Sequence, residues 1–205
     1  MPNSQKSYFN IAAVKKLGQV LVEIARQDPL RCMTERDFGP IVLAYLHAWG
    51  SPRREIKVKG GRVDFLIGTT NRTFIELAVA PRALRDPNYT GMHFPGAGNA
   101  KPTQHYPSQN RTELKKLAAM AQSRAKLRVL LLLDLLGTRS AESKMIFAKY
   151  EKEADDLGIK HTVQVIYASR REVRTHQLAS RQKPGRYPRA PRVLPASRPT
   201  GSPTA

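Results

Sequence analysis

The sequence predicts a mixed α/β domain in which helices flank a central sheet. Residues 55–80 resemble three short strands joined by tight turns, and RVLLLLDL at 128–135 is the near-continuous apolar run of a strand buried on both faces. Segments with helical spacing separate the later strands. Crossover connections and a mixed sheet are therefore expected, in the order α-α-β-β-β-α-β-α-β.

Two helices are expected before the first strand. In residues 9–27, apolar side chains recur at spacings of three and four, which places them on one helical face. The second helix is predicted to start at Thr34, because Thr34 followed by Asp37 resembles a capping box, and to end at Gly50. The apolar face of the first helix comprises Ile11, Val14, Leu17, Leu21 and Ile24.

The middle of the chain predicts a meander followed by a long loop. EIKVK, RVDFLIG and TFIELAVA are expected to pair through turns at Gly60-Gly61 and at TTNR. Residues 86–110 are rich in Pro, Gly and Asn, and a loop of that length is usually functional or mobile. The predicted elements after it are a helix from about Thr112 to Lys126, a strand over 128–135, a helix over 140–158 and a strand over 161–169.

These elements divide the chain into three parts. Residues 1–30 are predicted to be an N-terminal helical extension, and residues 31–170 the α/β domain. Residues 171–205 are expected to be a basic tail rich in Pro and Arg. Its C-terminal part contains almost no apolar residues, so it cannot supply a core and is expected to be disordered.

The charge of the chain points to a polyanionic partner. There are 35 Lys and Arg residues against 16 Asp and Glu, a net charge of +19, and the excess is spread over the folded part as well as the tail. Such a field attracts polyanions, and nucleic acid is the expected partner.

Other bulk features narrow the class of protein. No run reaches the roughly 18 apolar residues of a membrane helix, and the N-terminus lacks the pattern of a signal peptide. A cytoplasmic protein without a membrane partner is therefore expected. The single cysteine, Cys32, excludes an internal disulfide and a cysteine-based metal cluster within one chain.

Two acids interrupt the apolar strands of the meander. Alternation of side chains allows Asp64 and Glu76 to lie side by side on one face of the sheet. Two converging carboxylates repel each other unless a cation lies between them, and Mg²⁺ or Mn²⁺ prefers such oxygen ligands. Glu35, in the helix before the strands, is a third candidate ligand, or an acid that complements the helix dipole.

The order of these acids resembles the PD-(D/E)XK nuclease superfamily. The matching segments are Glu35 in TERDFGPIVLAYL, Asp64 in GGRVDFLIG and Glu76 in RTFIELAVA, and the resemblance covers roughly residues 34–168. It implies a restriction-endonuclease-like αβββαβ core, here with an extra N-terminal helix. It also implies that the three acids bind Mg²⁺ or Mn²⁺ for phosphodiester hydrolysis.

The sequence departs from the family motif at Ala78. The family has a lysine two positions after the glutamate, where it orients or deprotonates the attacking water or steadies charge on the phosphate. Lys116 or Lys115, in the helix after the long loop, are the expected replacements. Weaker candidates are Lys57, Lys59 and Arg82.

Further polar residues are candidates for nucleic-acid contacts. Cations in and around the strands and the loop are expected to hold phosphates, and Gln109 precedes the helix where related nucleases often carry a polar residue near the phosphate. The predicted contact residues are Lys57, Lys59, Arg62, Arg82, Lys101, Gln109 and Arg111.

These observations favour a Mg²⁺-dependent nuclease acting on nucleic acid, DNA rather than RNA. One alternative is a nuclease-like module that binds nucleic acid without cleaving it. A second alternative is a basic structural or assembly protein in which Glu35 caps a helix and the strand acids form salt bridges. The oligomeric state stays open, with a homodimer as one option.

Overall fold

The computed structural model describes residues 9–27, 35–58, 61–80, 110–120, 125–135, 140–159 and 161–178. These residues form four helices and six strands. In chain order the elements are α1 Ile11–Gln27, α2 Glu35–His47, β1 Arg53–Val58, β2 Gly61–Ile67, β3 Arg72–Ala80, α3 Arg111–Ala119, β4 Ala125–Asp134, α4 Ser140–Asp156, β5 Val163–Ser169 and β6 Val173–Leu178.

The six strands form one open sheet in the order β1-β2-β3-β4-β5-β6. β1, β2 and β3 are antiparallel, β3, β4 and β5 are parallel, and β6 runs antiparallel to β5. The predicted mixed α/β sheet flanked by helices is confirmed. No helix in the described ranges is long and apolar enough to cross a bilayer.

The sheet separates two apolar clusters. Neighbouring residues of β4 alternate between them: Leu130 and Leu132 pack with α3 and α4, whereas Leu131 and Leu133 pack with α1 and α2. All four leucines are fully buried, which explains why this strand is apolar throughout. The result is a three-layer arrangement of helices, sheet and helices.

Helix α1 belongs to the core of this domain. Its predicted apolar face is the buried one, with Val14, Leu17 and Leu21 fully enclosed. A Cβ added to Gly18 would lie 3.0 Å from the Cβ of Ala168 in β5, so the glycine allows the helix to approach the sheet closely. The segment set apart as an N-terminal extension is thus an integral layer of the fold.

Strand β6 corrects the predicted start of the C-terminal tail. The predicted tail is residues 171–205, but Val173–Leu178 pairs with residues 163–168 of β5. Ser169 N donates to Glu172 O at 2.9 Å and closes the turn between the two strands. VRTHQL has little hydrophobic pattern, and the strand is held by backbone pairing together with the burial of Leu178 and the stacking of His176 on Phe147.

Helix α3 is shorter than predicted. It ends at Ala119, and Ala125 and Lys126, which were assigned to the helix, belong to β4. Ala125 is the register partner of Arg72 at the start of β3, so pairing with the neighbouring strand overrides the helical propensity of alanine and lysine.

Candidate functional site

Asp64 lies where β2 separates from β3. Register pairs between the two strands run from Ile67–Thr73 to Phe65–Ile75. At the next step the carboxylate of Asp64 accepts the backbone N–H of Leu77 at 2.8 Å, in place of a strand carbonyl. This side chain is therefore fixed against β3, in a gap between the two strands that we call the fork.

Glu76 is the second acid of the fork. Its side chain is 1% exposed and shares a face of β3 with Phe74 and Ala78, which pack in the cluster beneath α3 and α4. Asp64 is close enough for its carboxylate to raise the pKa of Glu76. The structure thus brings together the two acids that alternation had placed on one side of the sheet.

Lys116 of α3 reaches the same point. Its ammonium lies 2.7 Å from Oε1 of Glu76 and donates to the carbonyl oxygen of Arg62 at 2.7 Å. The side chain passes over Gly61 (φ +145°), where an added Cβ would lie only 2.9 Å from Lys116 Cδ. Lys115, the alternative candidate, is exposed on the helix.

The electrostatics of the fork reflect an excess of acids. Burial, together with the nearby Asp64, raises the pKa of Glu76 to about 9, although Lys116 acts in the opposite direction. Burial lowers the pKa of the Lys116 ammonium, but the contacts with Glu76 outweigh this effect and its pKa is raised. The Glu76 carboxyl is therefore harder to ionise than an ordinary carboxyl, and the Lys116 ammonium is harder to deprotonate.

Glu35 stands at the edge of this group, in the first turn of α2. It is exposed at the mouth of a pocket, yet the pocket walls remove enough water to raise its pKa to about 7, with Asp64 and Glu113 contributing in the same direction. In the described ranges, no three His, Cys, Asp or Glu side chains are arranged to enclose a metal ion. Glu35 is thus coupled to the acid pair by charge and is not gathered with it into a three-acid cage.

The residues of the fork are chemically suited to a divalent cation. Asp64 and Glu76 supply hard carboxylate oxygens, which Mg²⁺ and Mn²⁺ prefer. Glu113, on the same helix as Lys116, has a buried carboxylate oxygen that accepts no hydrogen bond from the described residues, and its other oxygen lies 3.8 Å from the Lys116 ammonium. A divalent cation would offset the repulsion from Asp64 that, together with burial, raises the pKa of Glu76.

A pocket opens from the fork toward α2. Its volume is about 360 Å³, and residues of α2 and β1 line it. Lys116 approaches the fork from α3, on the other face of the sheet. The lining includes three acids, two arginines and one aromatic ring: Glu35, Glu55, Asp64, Arg36, Arg54 and Phe65.

The structure locates the other predicted site residues as follows. Lys57 and Arg62 are exposed register partners on β1 and β2 and form a basic pair beside the fork, in which Arg62 is also ion-paired with Glu55 at 3.0 Å. Arg111 forms an ion pair with Glu153 of α4 at 2.9 Å, while Ala78 is buried in the core. Lys59, Arg82, Lys101 and Gln109 lie outside the described residues.

Sequence reasoning missed Glu113 and the two arginines of the pocket. Glu113 has a weak local signal, because it lies three positions before Lys116 and therefore on the same side of the helix. Arg36 and Arg54 have no such signal, since they meet only when α2 packs against β1.

Fold and site together define a mixed α/β domain with a carboxyl pair and a lysine at a strand fork. The chain is similar to the solved structure described as Pyrococcus furiosus SfsA in complex with Ca²⁺, at 16% sequence identity and a TM-score of 0.29. The match covers 70% of this chain and 61% of that chain, so it spans less than two thirds of that protein. No protein-family model and no curated protein matches the sequence.

Proposed function

We propose that the protein is a metal-dependent nuclease that hydrolyses phosphodiester bonds in nucleic acid, DNA rather than RNA. The observation that carries this proposal is the buried Glu76 carboxyl, which lies 2.7 Å from the Lys116 ammonium on one side and beside Asp64, whose carboxylate is fixed by the Leu77 N–H, on the other. The basic chain, with its net charge of +19, supports a nucleic-acid substrate.

Each residue has a defined part in this proposal. Asp64 and Glu76 would hold Mg²⁺ or Mn²⁺, which when bound would lower the pKa of water and offset charge on the phosphate. Lys116 would replace the lysine that the motif has at Ala78: its ammonium, which donates to the Arg62 carbonyl, would hold the attacking water or a phosphate oxygen. Glu35 and Glu113 act through their charge on this centre.

The second candidate function is nucleic-acid binding without cleavage. It is favoured by the 2.7 Å contact between the Lys116 ammonium and Oε1 of Glu76, which places a positive charge beside the acid that a metal ion requires. In this alternative the exposed basic pair, Lys57 and Arg62, contacts the phosphate backbone and the fork has only a structural role.

Plasmid cleavage with Mg²⁺ or Mn²⁺ tests the proposal. We expect nicking by the wild-type protein and none by Asp64→Asn or Glu76→Gln. Asparagine at position 64 keeps an oxygen to accept the Leu77 N–H, so loss of cleavage in this variant reports on metal binding and not on strand pairing.

The matched control is Asp156→Asn, which removes an exposed acid at the end of α4, away from the fork. Cleavage that survives both fork substitutions would refute the nuclease assignment. A wild-type protein that does not cleave but retards DNA in a gel, with steep salt dependence, would support the binding module instead.

A further inference from the structure

Two arginines of the pocket have no part in the chemistry proposed above. Arg54 lies on β1 and Arg36 lies in the first turn of α2, and both line the cavity of about 360 Å³ that Asp64 also lines. This volume is in the usual range of small-ligand sites, about 300–1,000 Å³. The pocket therefore places two guanidinium groups in the same cavity as one carboxyl of the acid pair.

The guanidinium of Arg54 is held in a defined orientation. Its Cζ lies over the ring of Phe65, 5.7 Å from the centroid. On the α2 side, a Cβ added to Gly39 would lie 3.0 Å from Nη2 of Arg54. Glycine inside a helix is less favourable than alanine by about 1 kcal/mol, and at position 39 its small size lets the guanidinium approach the helix.

The charge of Arg54 is left for a ligand. Glu55 pairs with Arg62 at 3.0 Å, and Asp64 accepts the Leu77 N–H. Across the part of the chain that the structure describes, no carboxylate forms an ion pair with Arg54, although acids line the same pocket. An arginine that rests on an aromatic ring and has no ion-pair partner among the described residues can donate its N–H groups to an anion from solution.

We propose that Arg54, supported by Arg36, binds a backbone phosphate of the nucleic acid in the pocket beside the carboxyl pair. A guanidinium donates two parallel hydrogen bonds to phosphate oxygens, and its contacts with the Phe65 ring and with α2 at Gly39 hold the Arg54 group at the pocket. The choice of ligand rests on the proposed function. The inference adds a direction: the substrate approaches from the α2 face, opposite to the α3 face that supplies Lys116.

The test is the affinity for a short fluorescein-labelled DNA duplex, measured by anisotropy in EDTA over a range of salt concentrations. We expect Arg54→Gln to weaken binding about tenfold or more, as for loss of a charge-assisted hydrogen bond. The slope of log K against log salt should fall by about one. Arg54→Lys keeps the charge but not the planar guanidinium, and is expected to retain the salt slope while losing part of the affinity.

The matched control is Arg53→Gln, which removes the same charge from the preceding, exposed residue of β1 outside the pocket. Equal effects of Arg53→Gln and Arg54→Gln, or a wild-type protein that does not bind the duplex at low salt, would overturn the inference. The outcome does not depend on cleavage. If the protein never cleaves plasmid but Arg54→Gln weakens DNA binding as expected, the nuclease proposal is refuted and the phosphate site is supported. If the protein cleaves plasmid but Arg54→Gln has no effect on binding, the phosphate site is refuted and the nuclease proposal stands.

Discussion

Glu76 and Asp134 are the two acids with buried side chains among the described residues, and both lie in the parallel part of the sheet. Asp134, at the carboxyl end of β4, accepts the hydroxyl hydrogen of Tyr167 from the next strand at 2.5 Å. Glu76, on β3, has a second carboxyl and an ammonium as neighbours. A buried acid with a hydroxyl partner is satisfied within the fold, whereas a buried acid beside another acid needs a proton or a cation.

The difference separates a structural acid from a functional one. Removing the partner of Asp134 should lower stability, since a buried acceptor is left with fewer donors. Removing Glu76 should affect function with little loss of stability, since its carboxyl is disfavoured in its present surroundings. The predictions below test this contrast, from the largest expected effect to the smallest.

The largest effect is expected from Lys116→Met. This change keeps the length of the side chain but removes the ammonium from Glu76 and the Arg62 carbonyl. We expect cleavage to fall by about 10²–10³-fold, the usual effect of removing one electrostatic donor from a reaction centre. Lys115→Met is the control, because Lys115 is the exposed neighbour. Equal activities of the two variants would remove Lys116 from the mechanism.

The second prediction concerns Asp134. Tyr167→Phe removes the hydroxyl that donates to this carboxylate and leaves the packing of the ring in place. Unfolding by urea should show a loss of about 2 kcal/mol. Plasmid cleavage should stay at the wild-type rate. A large loss of cleavage with unchanged stability would contradict the structural role assigned to Asp134.

The third prediction is the pH dependence of stability in metal-free protein. The pKa of Glu76 is about 9 when folded, against an ordinary value of 4.5, so the folded state keeps a proton that the unfolded state releases. Stability therefore falls as pH rises from about 5 to about 9, by up to about 1.4 kcal/mol per pH unit. Glu35, whose folded pKa is about 7, adds to this slope in the lower part of the range.

Denaturant unfolding of Glu76→Gln over the same pH range is the comparison for the third prediction. Glutamine cannot ionise, so the slope above pH 7 should largely disappear, while the part due to Glu35 remains. An identical slope in the variant and the wild-type protein would show that Glu76 is ionised in the folded state at neutral pH.

The smallest effect is expected from Gly61→Ala. Gly61 and Gly158 both have positive φ, where alanine is disfavoured by about 1–2 kcal/mol. A Cβ at Gly61 meets the Lys116 side chain at 2.9 Å, whereas a Cβ at Gly158 meets no described atom within 4 Å. Both variants should lose stability, Gly61→Ala the more because of the added contact, and Gly61→Ala alone should lose cleavage, by several-fold. Equal cleavage in the two variants would show that Lys116 adjusts without consequence.

The sequence was informative wherever the signal is periodic. Spacings of three and four located α1, and alternation placed Asp64 and Glu76 side by side. β6 was missed because VRTHQL is held by pairing with β5 and carries little hydrophobic pattern. Neighbouring residues of a helix point in directions about 100° apart, so Lys115 and Lys116 cannot both face the fork. The sequence alone does not show which of them does. Only the packing of α3 on the sheet selects Lys116.

The pocket arginines show a second limit of sequence reasoning. Arg54 acquires its orientation from Gly39 and Phe65, which are distant from it in sequence. Neither the spacing nor the composition of the chain connects α2 with β1. Long-range packing of this kind determines which of many surface cations are fixed in orientation.

The hydrogen bond from Leu77 N–H to Asp64 gives the fork a built-in spectroscopic reporter. The amides of an antiparallel ladder ordinarily bond to backbone carbonyls, whose charge does not change. The Leu77 amide instead bonds to an acid that is proposed to bind metal. In a ¹⁵N-labelled sample its chemical shift and exchange rate will follow the charge on Asp64, so a single amide resonance can record proton or metal occupancy of the fork independently of any catalytic assay.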